Sequence, residues 1–420
     1  MELTRTGAGT VSVFWRWWTA GTSSDLGSAV GGVALPLTAL AVLDATPFEM
    51  GLIAAAGYVA WLVIGLPAGV IVQRLPLRGT QVTADLVRAL AVASIPVAWW
   101  FGGLTVAQLV VVALVVSFAH VVFFVANTTF LPEIVSRDQL QSRNSLTSGT
   151  HATTQLAGPS LGGLAVQFLG AVPTLLIDAI SYLVSAALLR TLPARRGHRP
   201  DRPTPMGAMI REGWAYVTRH PMMGPAMWSA TASNFVNGAY LALFPLYLVR
   251  ELHAPAGVVG LLLAVDGVGT LIGAALTTRA TNTLGTARGL IILGFVEAAA
   301  AFVIPAGTGR VAYLGFTAGV LVFAATGCVF SVTTRTYRQI ASPPELLSRV
   351  MATVRFVSWG AIPVGGLVAG ALAGPLGARA TLLIVAVASV AAPLALVFSP
   401  VRGRRDLIEP TTPEREAVVG

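Results

Sequence analysis

Five carboxylates fall inside long apolar runs of this sequence: Asp25, Asp85, Asp178, Asp266 and Glu297. A carboxylate so placed has a plain chemical use. It takes up a proton when its surroundings dry and releases it when water returns, because lost hydration favours the neutral acid. Asp25 lies about ten residues into the first apolar run, about 15 Å deep at the helical rise. Thr22 and Ser28 share its helical face, which points that face toward a polar cavity. Ser117, His120, Phe124 and Asn127 recur at i, i+3, i+7 and i+10, one polar and aromatic stripe across an otherwise apolar run. His120 is a group that can titrate near neutral pH. Asn234 and Asn237, with His151 and Gln155 at i, i+4, add further hydrogen-bonding groups.

Asp85 and Arg88, at i, i+3, can pair with one another or with the loop at 74–78. The sequence carries no phosphate-binding loop, no metal-ligand cluster and no nucleophile with its base, so neither ATP hydrolysis nor other enzymatic chemistry is supported, and no cofactor is expected. The lone Cys328 excludes an intrachain disulfide and a cysteine pair for a metal.

The elements that must position these groups are membrane spans. Of 420 residues, 11% are charged and 55% hydrophobic, and the mean hydropathy is +0.75. That composition excludes an ordinary soluble chain. Apolar runs between breakers give twelve spans, near 15–43, 48–73, 80–101, 105–130, 144–168, 172–192, 223–249, 257–278, 288–305, 310–333, 350–372 and 379–399. All 27 basic residues are arginine. With the N-terminus inside, only Arg250, Arg310 and Arg379 fall outside, which favours cytoplasmic termini and an even number of spans. The net charge of +9 therefore reports topology rather than nucleic-acid binding. No cleavable signal pattern precedes the first span, which can itself direct insertion. Trp15, Trp17 and Trp18 read as an interface anchor at its inner end.

The organisation is an N-terminal six-helix half at 1–192, a linker at 193–222, a C-terminal six-helix half at 223–400 and a tail at 401–420. The linker begins Pro/Arg-rich and ends in an amphipathic helix whose Met206, Met209, Ile210, Trp214 and Val217 can face lipid headgroups, while Arg211, Glu212 and Arg219 stay in water. The halves repeat: LGAVPTLLIDA at 169–179 returns as LGARATLLIVA at 376–386, and IVSRDQLQSR at 134–143 returns as IASPPELLSR at 340–349. Even-numbered halves insert the same way up, so the repeats are parallel.

Several segments in this order resemble major facilitator transporters, specifically the branch of enterobactin-type and macrolide-type exporters, across almost the whole chain. They are GLPAGVIVQRLPLRGTQVTADLVRAL (65–90), LPEIVSRDQLQSRNSL (131–146), AGPSLGGL (157–164), LLIDAISYLVSA (175–186), IREGWAYVTRHP (210–221) and the region from Arg349 to Gly366. The resemblance implies an all-α fold of twelve transmembrane helices in two parallel repeats. It also implies alternating access by rocking of the halves and proton-driven export of a hydrophobic or amphipathic small molecule, such as an antibiotic or siderophore-like metabolite. The alternative is nutrient import or facilitation, and a distant one is a non-transporting sensor. A small-molecule substrate and the lipid bilayer are the implied partners, for a monomer in the cell membrane.

In that architecture spans 1, 4, 7 and 10 line the cavity. Asp25, Asp266 and His120 then become the proton-coupling candidates. Thr22, Ser28, Ser117, Phe124, Asn127, His151, Gln155, Asn234 and Asn237 become the cavity candidates. Asp178 and Glu297 fall on supporting spans and are expected to be structural. The inner loop motif keeps Gly69, Arg74 and Arg78 but has Gln73 where an acid is usual and Pro76 where Gly is usual. Asp85, with Arg88, is expected to supply part of the missing latch. Gly158, Pro159, Gly162 and Gly163, matched by Pro363, Gly365 and Gly366, are expected hinge or close-packing sites; Thr154 stands where the exporter motif has a further Gly. No arginine is evident deep in the cavity, which favours an apolar ligand over an anion.

Overall fold

The computed structural model describes residues 7–65, 67–68, 72, 75–135, 137–193 and 206–407. Every regular element among them is helical, as hydrocarbon requires: without water, each backbone N–H and C=O must be satisfied within its own segment. The N-terminal half comprises α1 (Gly7–Ala41), α2 (Pro47–Ile64), α3 (Leu77–Trp100), α4 (Val106–Ile134), α5 (Arg137–Leu169) and α6 (Ala171–Arg190). After the short α7 (Met206–Arg219) come α8 (Met223–Leu246, prolonged by a π turn to Glu251), α9 (Ala256–Leu284), α10 (Thr286–Val303), α11 (Gly309–Ala341) and α12 (Pro344–Leu376). The last span is divided into α13 (Ala378–Ser389) and α14 (Ala391–Val397). The break is physical: Pro393 has no N–H to offer the carbonyl of Ser389.

Eleven of the described stretches are long and apolar enough to cross a bilayer. The twelfth span is α5, which is long but polar over its N-terminal two-thirds, because it packs on α1 and α9 rather than on lipid alone. The sequence repeat is visible as local structure. Gly170 and Gly377 both adopt left-handed φ, +90° and +81°, at the turns into α6 and α13. Four residues on, the hydroxyls of Thr174 and Thr381 each donate to those glycine carbonyls at 2.8 Å.

The amphipathic α7 docks on α12 and α8. Its Val217 is fully buried in a cluster with Met222, Met223, Tyr337, Val350 and Val354, so it faces protein rather than headgroups as expected. Gly213 lies against the backbone of Arg349, and Glu212 pairs with Arg349. Trp214 stays exposed beside Trp228, and Arg211 and Arg219 are exposed. The side chains of Met206, Met209 and Ile210 lie outside the described residues.

The two halves meet mainly through α2 with α12 and α5 with α9. At the end of the bundle away from the termini, named the outer end here after the arginine distribution, these crossings are made by glycines. Gly163 lies against Gly260, and Gly51 against Gly366 and Gly370, so close that a Cβ on Gly163 would sit 2.7 Å from the Gly260 Cα. Gln167 adds a bond across the same seam, accepting from the Gly257 N–H at 3.0 Å. These contacts hold the halves together at the outer end.

Candidate functional site

Asp25 sits midway along α1, and its partner comes from α5. His151 Nδ1 and Asp25 Oδ2 are 3.2 Å apart, with 37% of the Asp25 side chain and 58% of the His151 side chain exposed. Asp25, His151, Arg88 and Arg355 all lie near enough to His120 to act on it electrostatically. Asp25, Arg88, His120 and His151 belong to α1, α3, α4 and α5, whereas Arg355 is on α12 of the other half, so these groups converge from both halves.

Behind Asp25 is a buried charge cluster. Asp85 and Arg88 on α3 form a direct ion pair and are 0% and 1% exposed. The Arg88 guanidinium lies between two rings, 4.3 Å from the Phe123 centroid and 4.4 Å from that of Tyr182. Asp178 on α6 interacts electrostatically with the same arginine and with Tyr182. It fits because α1 presents Gly27 and Gly31 there; side chains at those positions would overlap Ser181 and Asp178. Two carboxylates thus share one cation in a dry interior. Of the partners open to Asp85, the structure pairs it with Arg88, while Arg78 donates to the Leu192 carbonyl at 2.7 Å. Gly69, Gln73 and Arg74 lie outside the described residues.

Several cavity candidates are diverted into helix contacts. Ser28 hydrogen-bonds the Tyr182 hydroxyl at 2.9 Å and donates to the Ser24 carbonyl, so it faces α6. Ser117 is buried and donates to the Gly57 carbonyl of α2 at 2.7 Å. Asn234 donates to the Ala230 carbonyl of its own helix. Thr22, Asn127 and Asn237 are half-buried, while Gln155 and Asp266 are exposed. Asp266 on α9 lies within electrostatic reach of Tyr58 on α2, across the cleft. Glu297 on α10 is buried beside Ser233 and Tyr240 of α8.

The glycines and prolines are packing sites here. Gly158 and Gly162 receive α1 at Ala29 and Val30, Gly365 receives the Phe235 backbone of α8, and Pro159 and Pro363 lie inside unbroken helices.

The structure also assembles a group that spacing did not reveal. Arg355 lies over the rings of Trp61 on α2, at 4.4 Å, and Trp359 on its own helix, at 4.1 Å, with Phe124 of α4 at 5.6 Å. Trp61 in turn meets Trp359, Phe124 and His120 edge-on at 5.3, 5.6 and 6.4 Å. This corrects the expectation that no arginine stands in the cavity. The signal was present in the Arg355 to Trp359 spacing of i, i+4, but by sequence alone Arg355 counts among the inner-loop arginines.

The chain that folds into these two six-helix halves is matched over residues 10–415 by the model of one family, that of transmembrane secretion effectors. The chain belongs to that family. It is a multi-pass membrane transporter of the major facilitator type. Its relatives include the multidrug efflux pump Tap of Mycolicibacterium fortuitum, 27% identical over 395 residues that cover 91% of this chain and 94% of that one. Tap of Mycobacterium tuberculosis H37Rv is 26% identical and covers 91% and 92%. The transporter YfiS of Bacillus subtilis is 25% identical over 86% and 87%. Among solved structures, the nucleoside transporter NupG superposes with a TM-score of 0.76 at 11% identity, covering 92% of this chain and 98% of that one. A bacterial homologue of ferroportin in its inward-facing state gives 0.73 at 13%, covering 92% and 98%. At such identities the structural matches establish the fold alone.

Proposed function

We propose that this transporter exports hydrophobic or amphipathic small molecules in exchange for protons, from a cell membrane in which both termini are cytoplasmic. The arginine distribution supports that orientation, and the efflux pumps among its relatives support the direction. The observation that carries the coupling is the Asp25 and His151 pair. Both side chains are accessible while the halves are held together at the outer end, so in this conformation the pair exchanges protons with the cytoplasmic side. Parting α5 from α9 and α2 from α12 at their glycine contacts, while the inner ends close, would turn the same pair toward the outside. A carboxylate that changes its access and its hydration together can load a proton from one side and release it on the other as substrate exchanges.

The test is transport in inverted vesicles, with and without a pH gradient, using a panel of antibiotics and amphipathic dyes. Asp25→Asn should abolish gradient-driven transport and spare downhill exchange, because the amide keeps the shape and hydrogen bonding but cannot titrate. Wild-type gradient-driven transport by Asp25→Asn at every pH would move the coupling role to Asp266.

A further inference from the structure

We propose that Arg355, with Trp61, Trp359, Phe124 and His120, forms an anion-recognition subsite of the cleft, and that the molecules carried bear an acidic group on an aromatic or apolar body. The inference rests on the reading of this chain as a small-molecule exporter and specifies the substrate class of the same cleft.

The argument is one of missing counter-charge. Among the described residues Arg355 makes no ion pair and no hydrogen bond, and its Nε is buried without a partner. A guanidinium offers five donors in a planar fork and cannot shed its proton, so within a membrane protein it needs an anion or water. The buried arginine of the other half shows the contrast: Arg88 also lies against two rings, but it has Asp85 and Asp178 for charge. Arg355 has the rings alone. Trp61 and Trp359 approach the guanidinium carbon at 4.4 and 4.1 Å and accept no N–H, which leaves its donors for a carboxylate or phosphate.

The surroundings favour an anion. On the same half, Arg335 lies within electrostatic reach of Arg355, and among the described residues it bonds the Ser331 hydroxyl at 3.5 Å and pairs with no acid. Asp25, the carboxylate of the facing half that also acts on His120, is engaged with His151. Trp61 and Phe124 supply apolar faces beside the cation, as a ligand with an aromatic body requires. The site also joins the halves, since Trp61 belongs to one and Arg355 and Trp359 to the other. A ligand bound there is therefore released when α2 and α12 part.

Equilibrium binding of three matched probes to the purified full-length protein, by isothermal titration calorimetry and without any gradient, tests this. The probes are 1-naphthoate, the neutral 1-naphthamide and the cationic 1-naphthylmethylammonium. Wild type should bind naphthoate at least tenfold more tightly than either analogue. Arg355→Gln should bring naphthoate and naphthamide within twofold of each other, and Arg355→Lys should keep part of the preference, both with unchanged melting temperatures. A wild-type protein that binds the amide or the amine as tightly as the acid overturns the proposal, whether or not the variants fold. So does an Arg355→Gln protein that keeps the preference. Because binding is read without transport, failure here leaves proton-driven export standing, and loss of coupling in Asp25→Asn leaves this subsite standing.

Discussion

Arg250 reaches from the end of α8 across the outer seam to Asp44, in the loop after α1: its Nη2 donates to Asp44 Oδ1 at 2.6 Å and to the Ala45 carbonyl at 2.8 Å. One arginine thereby ties the second half to the first at the outer end. Asp44 is almost fully exposed and adopts a left-handed φ of +48°, so the ion pair is a weak tie and the carbonyl bond carries much of the contact.

Arg250→Ala should therefore loosen the outer closure without unfolding the chain. The exposed pair contributes under about 1 kcal/mol and the backbone bond about 1 kcal/mol. Together they should shift the closed-to-open ratio by roughly tenfold. Spin labels at Gly103 and Thr308, on outer turns of opposite halves in a Cys328→Ala background, should show a broader and longer distance distribution in the variant. An unchanged distribution would mean that the glycine crossings alone hold this end.

Among the described residues Arg88 is the sole basic partner of Asp85 and Asp178, and removing it should be severe. Arg88→Met leaves two buried carboxylates uncompensated, a change that costs about 3–5 kcal/mol in comparable buried pairs. The purified protein should melt well below wild type. Adding Asp85→Asn should recover part of the loss, so that the double-mutant cycle shows a coupling energy above about 1 kcal/mol. Additive losses would show that Asp85 and Arg88 do not act as a pair.

His220, between α7 and α8 and outside the spans, has a pKa lowered by burial. Its Nδ1 accepts from the backbone N–H groups of Met222 and Met223, a cap that needs the neutral ring. A depressed histidine binds fewer protons folded than unfolded, so its contribution is complete above its ordinary value near 6.5 and is lost as pH falls below that value toward the lowered one. Melting temperature should fall between pH 7 and pH 5 in wild type. His220→Asn, which offers an acceptor that does not titrate, should flatten that part of the curve; an identical slope in both proteins would remove His220 as its source.

How far the site is legible in the sequence differs from residue to residue. Asp25 is placed at mid-depth by counting along the first span. Its partner His151 lies 126 residues away, and nothing local couples the two. Ser28 follows Asp25 by less than one turn, yet Tyr182 of α6 takes its hydroxyl, so a shared face in the sequence becomes two destinations in the fold. Arg355 shows the converse. Its charge and position suggest the inner surface, but the approach of α2 brings Trp61 over it and draws it into the cleft.

The sequence by itself determined the helices, their number and their parallel repeat. A bilayer makes backbone hydrogen bonding a local matter, so each apolar run decides its own structure, and the paired turns at Gly170 and Gly377 need only their own residues. What only the tertiary structure decided is which polar groups meet. Arg88 with Asp178, Asp25 with His151 and Arg250 with Asp44 are contacts between distant spans, set by how closely helix faces approach. That approach depends on pairs of small residues such as Gly27 beside Ser181 and Gly163 against Gly260, whose effect appears only when both helices are in place.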